Sequence, residues 1–317
     1  MKQLLVFLKN WALPVSMLTG IVLYLIYHFT PALYPAGPYL RVFCEKGQPV
    51  FIFCMLFCQF SKVTPSQIRL RKWHLWLLLL QGGIFTGLAF LIMGMPENTT
   101  KLLIEAFMVC MICPTATAAG VITDKLGGDL PGTISYVLLI NLLFSILFPL
   151  VVPMIHPVDG LNFTECFLRI AGRIFPTLIC PCILAWLIRW LIPSLQRWIA
   201  QFKDLAFYLW VVSLAICLVL TTRIVILSHM PLGTLLMIGA VSCVACALQF
   251  GSGKLIGRRY GKVQSLTAGQ SFGQKNTGLM IWVCYTFLTP QTAVAGGFYS
   301  IWHNIVNSLE LAAKRRK

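Results

Sequence analysis

Residues 269–278 read GQSFGQKNTG, a polar run with three glycines and a lysine set between two apolar stretches, each too short to cross a bilayer. A run of this kind breaks a helix at membrane depth. Backbone groups freed by a break find no partner in lipid, so such chain persists only where protein or a water-filled cavity surrounds it. Interrupted apolar segments also point to the substrate and ion site of secondary transporters. About half a chain earlier, residues 113–120, CPTATAAG, interrupt another apolar run with a proline, two threonines and a glycine. Two matched breaks imply two matched halves.

Composition sets the solvent. With 58% hydrophobic and 11% charged residues among 317 and a mean hydropathy of +0.82, a soluble globule is excluded. The sequence predicts an all-α polytopic membrane protein. Continuous apolar runs such as 75–80 do not alternate, which excludes a transmembrane β-barrel. Runs of bilayer length can be placed at about 11–30, 42–61, 73–95, 101–122, 131–154, 167–192, 204–223, 231–253, 263–288 and 291–311. The opening segment, with Lys2 and Lys9 ahead of an apolar run containing Pro14, reads as a retained helix and not as a cleaved signal. Most of the twelve cysteines fall inside apolar runs, and the pair Cys243 and Cys246 lacks polar neighbours, so packing is expected of them and no metal or other cofactor.

The net charge of +16 gives an orientation. Lys62, Arg69, Arg71, Lys72, Lys125, Arg197, Lys203, Lys254, Arg258, Arg259, Lys262 and the basic run 314–317 fall on one side. The other side receives Arg41, Lys46, Lys101, Arg169, Arg173 and Arg223. Cytoplasmic loops collect Lys and Arg, so both termini are expected inside a cell inner (plasma) membrane. Anionic headgroups explain the basic surface without nucleic acid. His28, His74, His156 and His229 stand near span ends and read as interfacial, and Trp73, Trp76, Trp186 and Trp190 read as an aromatic belt.

The halves 1–160 and 161–317 also echo each other: FLK at 7–9 by FLR at 167–169, Pro14 by Pro176, and Pro131 by Pro290. Five helices per half is an odd number, so the second copy enters the membrane from the opposite face and the repeats are inverted. The fourth helix of each half, helices 4 and 9 of ten, carries its break, and the breaks are expected to cross at mid-bilayer. There, half-helix amino ends offer N–H groups and a positive dipole end to an anion. Thr115, Thr117, Ser271, Gln274, Asn276 and Thr277 supply side-chain donors and acceptors.

Three stretches carry a resemblance: CPTATAAGVITDKLGGDLPGT at 113–133, SFGQKNTGL at 271–279 and SIWHN at 300–304. In their order along the chain they resemble the crossover, ninth-helix and tenth-helix motifs of the bile acid:sodium symporter family, and helix count and loop charge agree. The resemblance implies a panel of helices 1, 2, 6 and 7, a core of helices 3–5 and 8–10, an organic anion as substrate, and in most members two sodium ions. It places Pro114 at the crossover and Thr117, Asn276, His303 and Asn304 at the anion. The sodium ligands carry over badly. Ala119 and Gly120 stand where the family has Ser-Asn, Thr133 and Val137 where it has two hydroxyls, Ser271 where it has the acidic residue bridging both ions, and Lys275 where it has glutamine. Only Gln81 matches a second-site ligand.

Lys275 needs a reason, because a charge at the bilayer centre costs at least ~2.5–3.5 kcal/mol on insertion scales. It is expected to act as a tethered cation in a vacated sodium position, with proton exchange during alternating access as a second route. The plainer alternative, snorkelling or pairing with a structural carboxylate, has Glu105 as its candidate, about 15 Å along the helix from the break at ~1.5 Å per residue. The sequence thus leads to a secondary transporter of a bile acid-like or small carboxylate anion, sodium-independent, working as a monomer by alternating access. Two readings stay open beside it: a conventional sodium symporter, and a membrane sensor that binds without translocating. An enzyme is not expected: no HExxH motif, no pair of intramembrane carboxylates and no Gly-x-Ser-x-Gly nucleophile elbow is read in the chain.

Overall fold

A computed structural model describes residues 12–158, 160–202 and 205–315. The expected basic positions Lys2, Lys9, Lys203, Arg316 and Lys317, and the FLK triplet, lie outside the described residues. Within them the chain is helical and no strand forms; one isolated antiparallel bridge joins Thr115 to Lys275. The helices are α1 (Ala12–Phe29), α2 (Gly37–Phe60), α3 (Lys72–Ile92), α4 (Thr99–Ile112), α5 (Ala118–Lys125), α6 (Leu130–Ile155), α7 (Phe163–Leu178), α8 (Cys180–Leu191), α9 (Pro193–Gln201), α10 (Leu205–Leu227), α11 (Leu232–Arg258), α12 (Lys262–Gly273), α13 (Thr277–Phe287) and α14 (Pro290–Arg315).

Among the described residues four helices are long and apolar enough to cross a membrane: α3, α6, α11 and Tyr208–Leu227 of α10. Two bent pairs raise the number to six: Val15–Phe29 with Pro31–Phe60, turned by 110°, and α7 with α8, turned by 41° where Pro181 begins α8. The other expected spans fall short for physical reasons. The runs at 101–122 and 263–288 are each divided into two helices, and α14, though long, carries Thr292, Ser300, His303, Asn304 and Asn307. Leucines such as Leu79, Leu91, Leu191, Leu236 and Leu255 point outward, as helices with lipid for solvent require.

Packing sorts the helices into two groups. α10 lies against α1 and α2, and α2 against α8; α3–α6 and α11–α14 form a second body, which meets the first where α10 touches α13 and α14 and α2 touches α13, and α7 bridges the two, lying against α6 on one side and α2 and α8 on the other. Two ends are equally distinct. At one, Lys314 reaches the Lys125 carbonyl (2.9 Å), Arg71 pairs with Asp129 (2.6 Å), Arg189 and Gln196 donate to the Ser61 carbonyl, and Lys254 pairs with Glu310. At the other, the buried Glu105 holds His156 (2.8 Å) and Thr292 (3.1 Å), and Arg223 meets Tyr285. Arg71, Lys125, Lys254 and Lys314, four of the basic positions expected to share a face, thus stand at one end.

Trp73 and His74 depart from the interfacial reading, because the start of α3 is enclosed by α6 and α12. Trp73 Nε1 donates to Gln264 Oε1 (2.8 Å). His74 Nδ1 accepts from the Arg71 amide, so Nε2 carries the hydrogen it gives to the Gly132 carbonyl (3.1 Å). Trp76 and Trp190 do face outward.

Candidate functional site

The two breaks cross as a short antiparallel pair. The Asn276 amide donates to the Pro114 carbonyl (2.8 Å) and the Ala116 amide to the Gln274 carbonyl (3.0 Å). Proline at 114 and the amide-rich run at 274–276 stop each helix, and four helix carbonyls at each stop then lack intrahelical partners.

The capping of α4 is complete residue by residue. Cys110 O accepts from Gln249 Nε2 (3.1 Å), Met111 O from Lys275 Nζ (3.2 Å), and Ile112 O and Cys113 O from Gln81 Nε2 (2.9 and 3.1 Å). At the end of α12, Ser271 O accepts from Thr115 Oγ1 (2.5 Å) and Gly273 O from Tyr299 Oη (2.8 Å). Each break thus supplies caps to the other, and further caps come from α3, α11 and α14.

Lys275 is fully buried. Its ammonium stands at the carboxyl end of α4, where the helix dipole is negative, and 5.0 Å from the centre of the Phe272 ring. None of the ion pairs among the described residues includes it. Glu105, the candidate structural partner, is occupied by His156 and Thr292.

Between the two helix groups lies a small cavity, lined on one side by Ala116, Thr117, Lys275, Asn276, Thr277 and Gly278 and on the other by Met55, Trp210, Ser213, Leu214 and Cys217. Its volume is about 10 Å³, room for roughly one water; an organic anion enters only if the groups separate. Asn276, which lines the cavity, uses its Oδ1 to cap α13 at Leu279 N (3.1 Å). Thr117 opens α5 without using its hydroxyl as a cap. A larger groove of about 410 Å³ runs between α3 and α11 on the outer face, lined by Trp76, Leu79, Leu80, Leu255, Ile256 and Arg259, away from the crossing.

Of the expected anion contacts, then, Thr117, Lys275 and Asn276 come together. His303 sits behind them, its Nδ1 accepting from the Lys275 amide at 3.4 Å, and Asn304 turns back to the Ser300 carbonyl of its own helix (2.7 Å). At the ion positions, Gln81 is committed on both ends, since its Oε1 accepts from Tyr136 (2.8 Å). Ser271, Thr133 and Thr123 form a hydroxyl chain with steps of 3.3 and 3.2 Å. Gln274 bonds Gln270, which continues to Glu310. Ala119 and Gly120 are buried without side-chain oxygens. Among the described residues no cluster of His, Cys, Asp or Glu could hold a metal.

Sequence reasoning missed Gln249 and Tyr299 as caps and Gln48 and Ser213 near the cavity; the available signal was a polar residue within each apolar run. It also passed over GQSFG at 269–273, which fits the Gly-x-Ser-x-Gly pattern of a nucleophile elbow. That pattern acts on a strand-to-helix turn with an exposed serine, whereas Ser271 is buried inside α12 and bonds Thr133. Compared with protein-family models and with curated proteins, the chain matches none.

Proposed function

We propose that this chain is a secondary transporter of organic anions with the architecture of the bile acid:sodium symporter family, working without sodium. In this reading ten transmembrane segments form two inverted five-helix repeats, α1, α2, α7–α8 and α10 make the panel, and the remainder makes the core. Both termini are cytoplasmic, the monomer is the working unit, and the anion is bile acid-like or a small carboxylate.

The observation that carries the proposal is Lys275: a buried ammonium without a carboxylate partner among the described residues, at the crossing of two broken helices, on the wall of a cavity between two helix groups. Unpaired intramembrane charges are functional-site hypotheses by default. The amino ends of α5 and α13 border the same cavity and add positive potential. Separation of the groups opens the cavity, and the anion neutralises the ammonium.

The test is uptake of labelled carboxylates by proteoliposomes containing the purified protein, with sodium or potassium outside. Uptake of one anion at equal rate in both salts is expected. Uptake that needs sodium points instead to a conventional symporter, and binding without uptake to a sensor.

A further inference from the structure

Directly behind the wall opposite Lys275 lies a polar group that the crossing does not use. Gln48, fully buried in α2 beside Pro49, donates from Nε2 to Ser213 Oγ (2.8 Å) and Cys217 Sγ (3.0 Å) on α10. Among the described residues its Oε1 has no hydrogen-bond partner. Ser213, Cys217 and Gly278 all line the cavity, and a β-carbon on Gly278 would come within 2.4 Å of Gln48 Nε2. The amide therefore presses on the amino end of α13, beside Asn276 and Lys275.

A buried acceptor left unpaired is destabilising, and native structures keep few of them. Here the unmet atom belongs to the helix group that must move for the cavity to open. Both neighbouring α10 side chains are already taken by Nε2, so what the amide still offers is an oxygen, and only a hydrogen-bond donor completes it.

We propose that Gln48 is the specificity residue of this site: as the cavity opens, its Oε1 accepts a hydrogen bond from a hydroxyl or N–H group of the substrate, whose carboxylate faces Lys275. The inference rests on the transporter reading and narrows its substrate to donor-bearing carboxylates. Such a substrate bridges the two helix groups, because its charge engages the crossing and its donor engages α2. A bare carboxylate engages the crossing alone.

The test uses the purified full chain in detergent and follows its thermal unfolding midpoint against matched acid pairs. The pairs are propionate against 2- and 3-hydroxypropionate, and a deoxy steroid carboxylate against its hydroxylated form. In one pair the hydroxylated acid is expected to bind at least ~10-fold more tightly, since a site built to bond a hydroxyl rejects the analogue lacking it. Gln48→Met, similar in shape but without the acceptor, brings the two acids to within about twofold, and Lys275→Gln weakens both alike. Ser213→Ala, which releases the amide from its orientation, is the second variant and also reduces the preference. Pairs bound equally by the wild type overturn the inference and leave the transporter reading standing. A preference that survives in both variants overturns it as well, and failure of every acid to bind overturns both readings.

Discussion

Lys275 Nζ lies 3.2 Å from the carbonyl oxygen of Met111 and closes the carboxyl end of α4 with a positive charge. A cation at a helix carboxyl end gains ~0.3–2 kcal/mol, and one over an aromatic face ~0.5–2 kcal/mol. Together these come close to the ~2.5–3.5 kcal/mol cost of the charge on insertion scales without clearly exceeding it. The lysine is held where an anion still improves its surroundings. Lys275→Met is therefore expected to lower carboxylate affinity by ~10- to 100-fold, about 1.4 kcal/mol per decade. The fold should lose only ~1–3 kcal/mol for the Met111 carbonyl left bare. Calorimetric titration alongside thermal unfolding reads both, and an affinity within twofold of wild type removes Lys275 from the site.

Sodium should leave the protein indifferent. Gln81 Oε1 accepts from Tyr136, Thr115 Oγ1 donates to the Ser271 carbonyl, and the Ser271, Thr133 and Thr123 hydroxyls bond one another, so each oxygen is held in place by a protein partner and not arranged around a common centre. The shift in melting temperature produced by a bound carboxylate is expected to be the same in sodium and potassium at equal ionic strength, because only a ligand that binds the native state adds to it. A shift seen in sodium alone would mean that these oxygens rearrange into a cation site.

Both breaks were legible in the sequence because their causes are local. Pro114 and the polar run around Lys275 stop helices wherever they stand, and the structure interrupts the chain at 113–117 and 274–276, inside the stretches singled out. What each stop costs, and which side chains relieve it, is a tertiary matter. Gln249 and Tyr299 reach the crossing from α11 and α14, and no pattern within their own helices records the distance. Trp73 and His74 show the same limit. A tryptophan near a span end looks the same in sequence whether it meets headgroups or, as here, Gln264 of another helix. His303 was singled out for contact with the anion, yet its ring lies against the backbone of Lys275, a relation that depends on how α14 is turned.

Gln81 makes a sharper stability test than any apolar residue around it. Its one amide serves Ile112 O, Cys113 O and Tyr136 Oη. Gln81→Leu strands three buried polar groups, each costing ~1–3 kcal/mol, so a loss of ~3 kcal/mol or more is expected. Tyr136→Phe strands one such group, the Gln81 Oε1, and should cost ~1–3 kcal/mol, less than Gln81→Leu. Thermal unfolding of the two variants side by side checks the order; equal melting temperatures would show that Gln81 does not carry the end of α4.

The close contact between α11 and α12 offers a test with an internal control. The two helices approach through Gly253 and Gly257, one turn apart. A β-carbon on Gly257 would stand 2.3 Å from the Gln264 carbonyl oxygen, and one on Gly253 2.7 Å from that of Ala268. Small residues four apart let membrane helices approach backbone to backbone, and backbone cannot yield as a flexible side chain does. Gly251, on the same helix, has nothing within 4 Å of the corresponding position. Gly257→Ala is therefore expected to push α12 away and cost ~1–3 kcal/mol as overpacking does. Gly251→Ala should be neutral or stabilising by up to ~1 kcal/mol through helix propensity. α12 carries Ser271 and leads into Lys275, so the displacement at Gly257 should also weaken carboxylate binding, whereas Gly251→Ala should not. Melting temperature and carboxylate titration of the two alanine variants decide it, and the account of this contact fails if both variants behave alike.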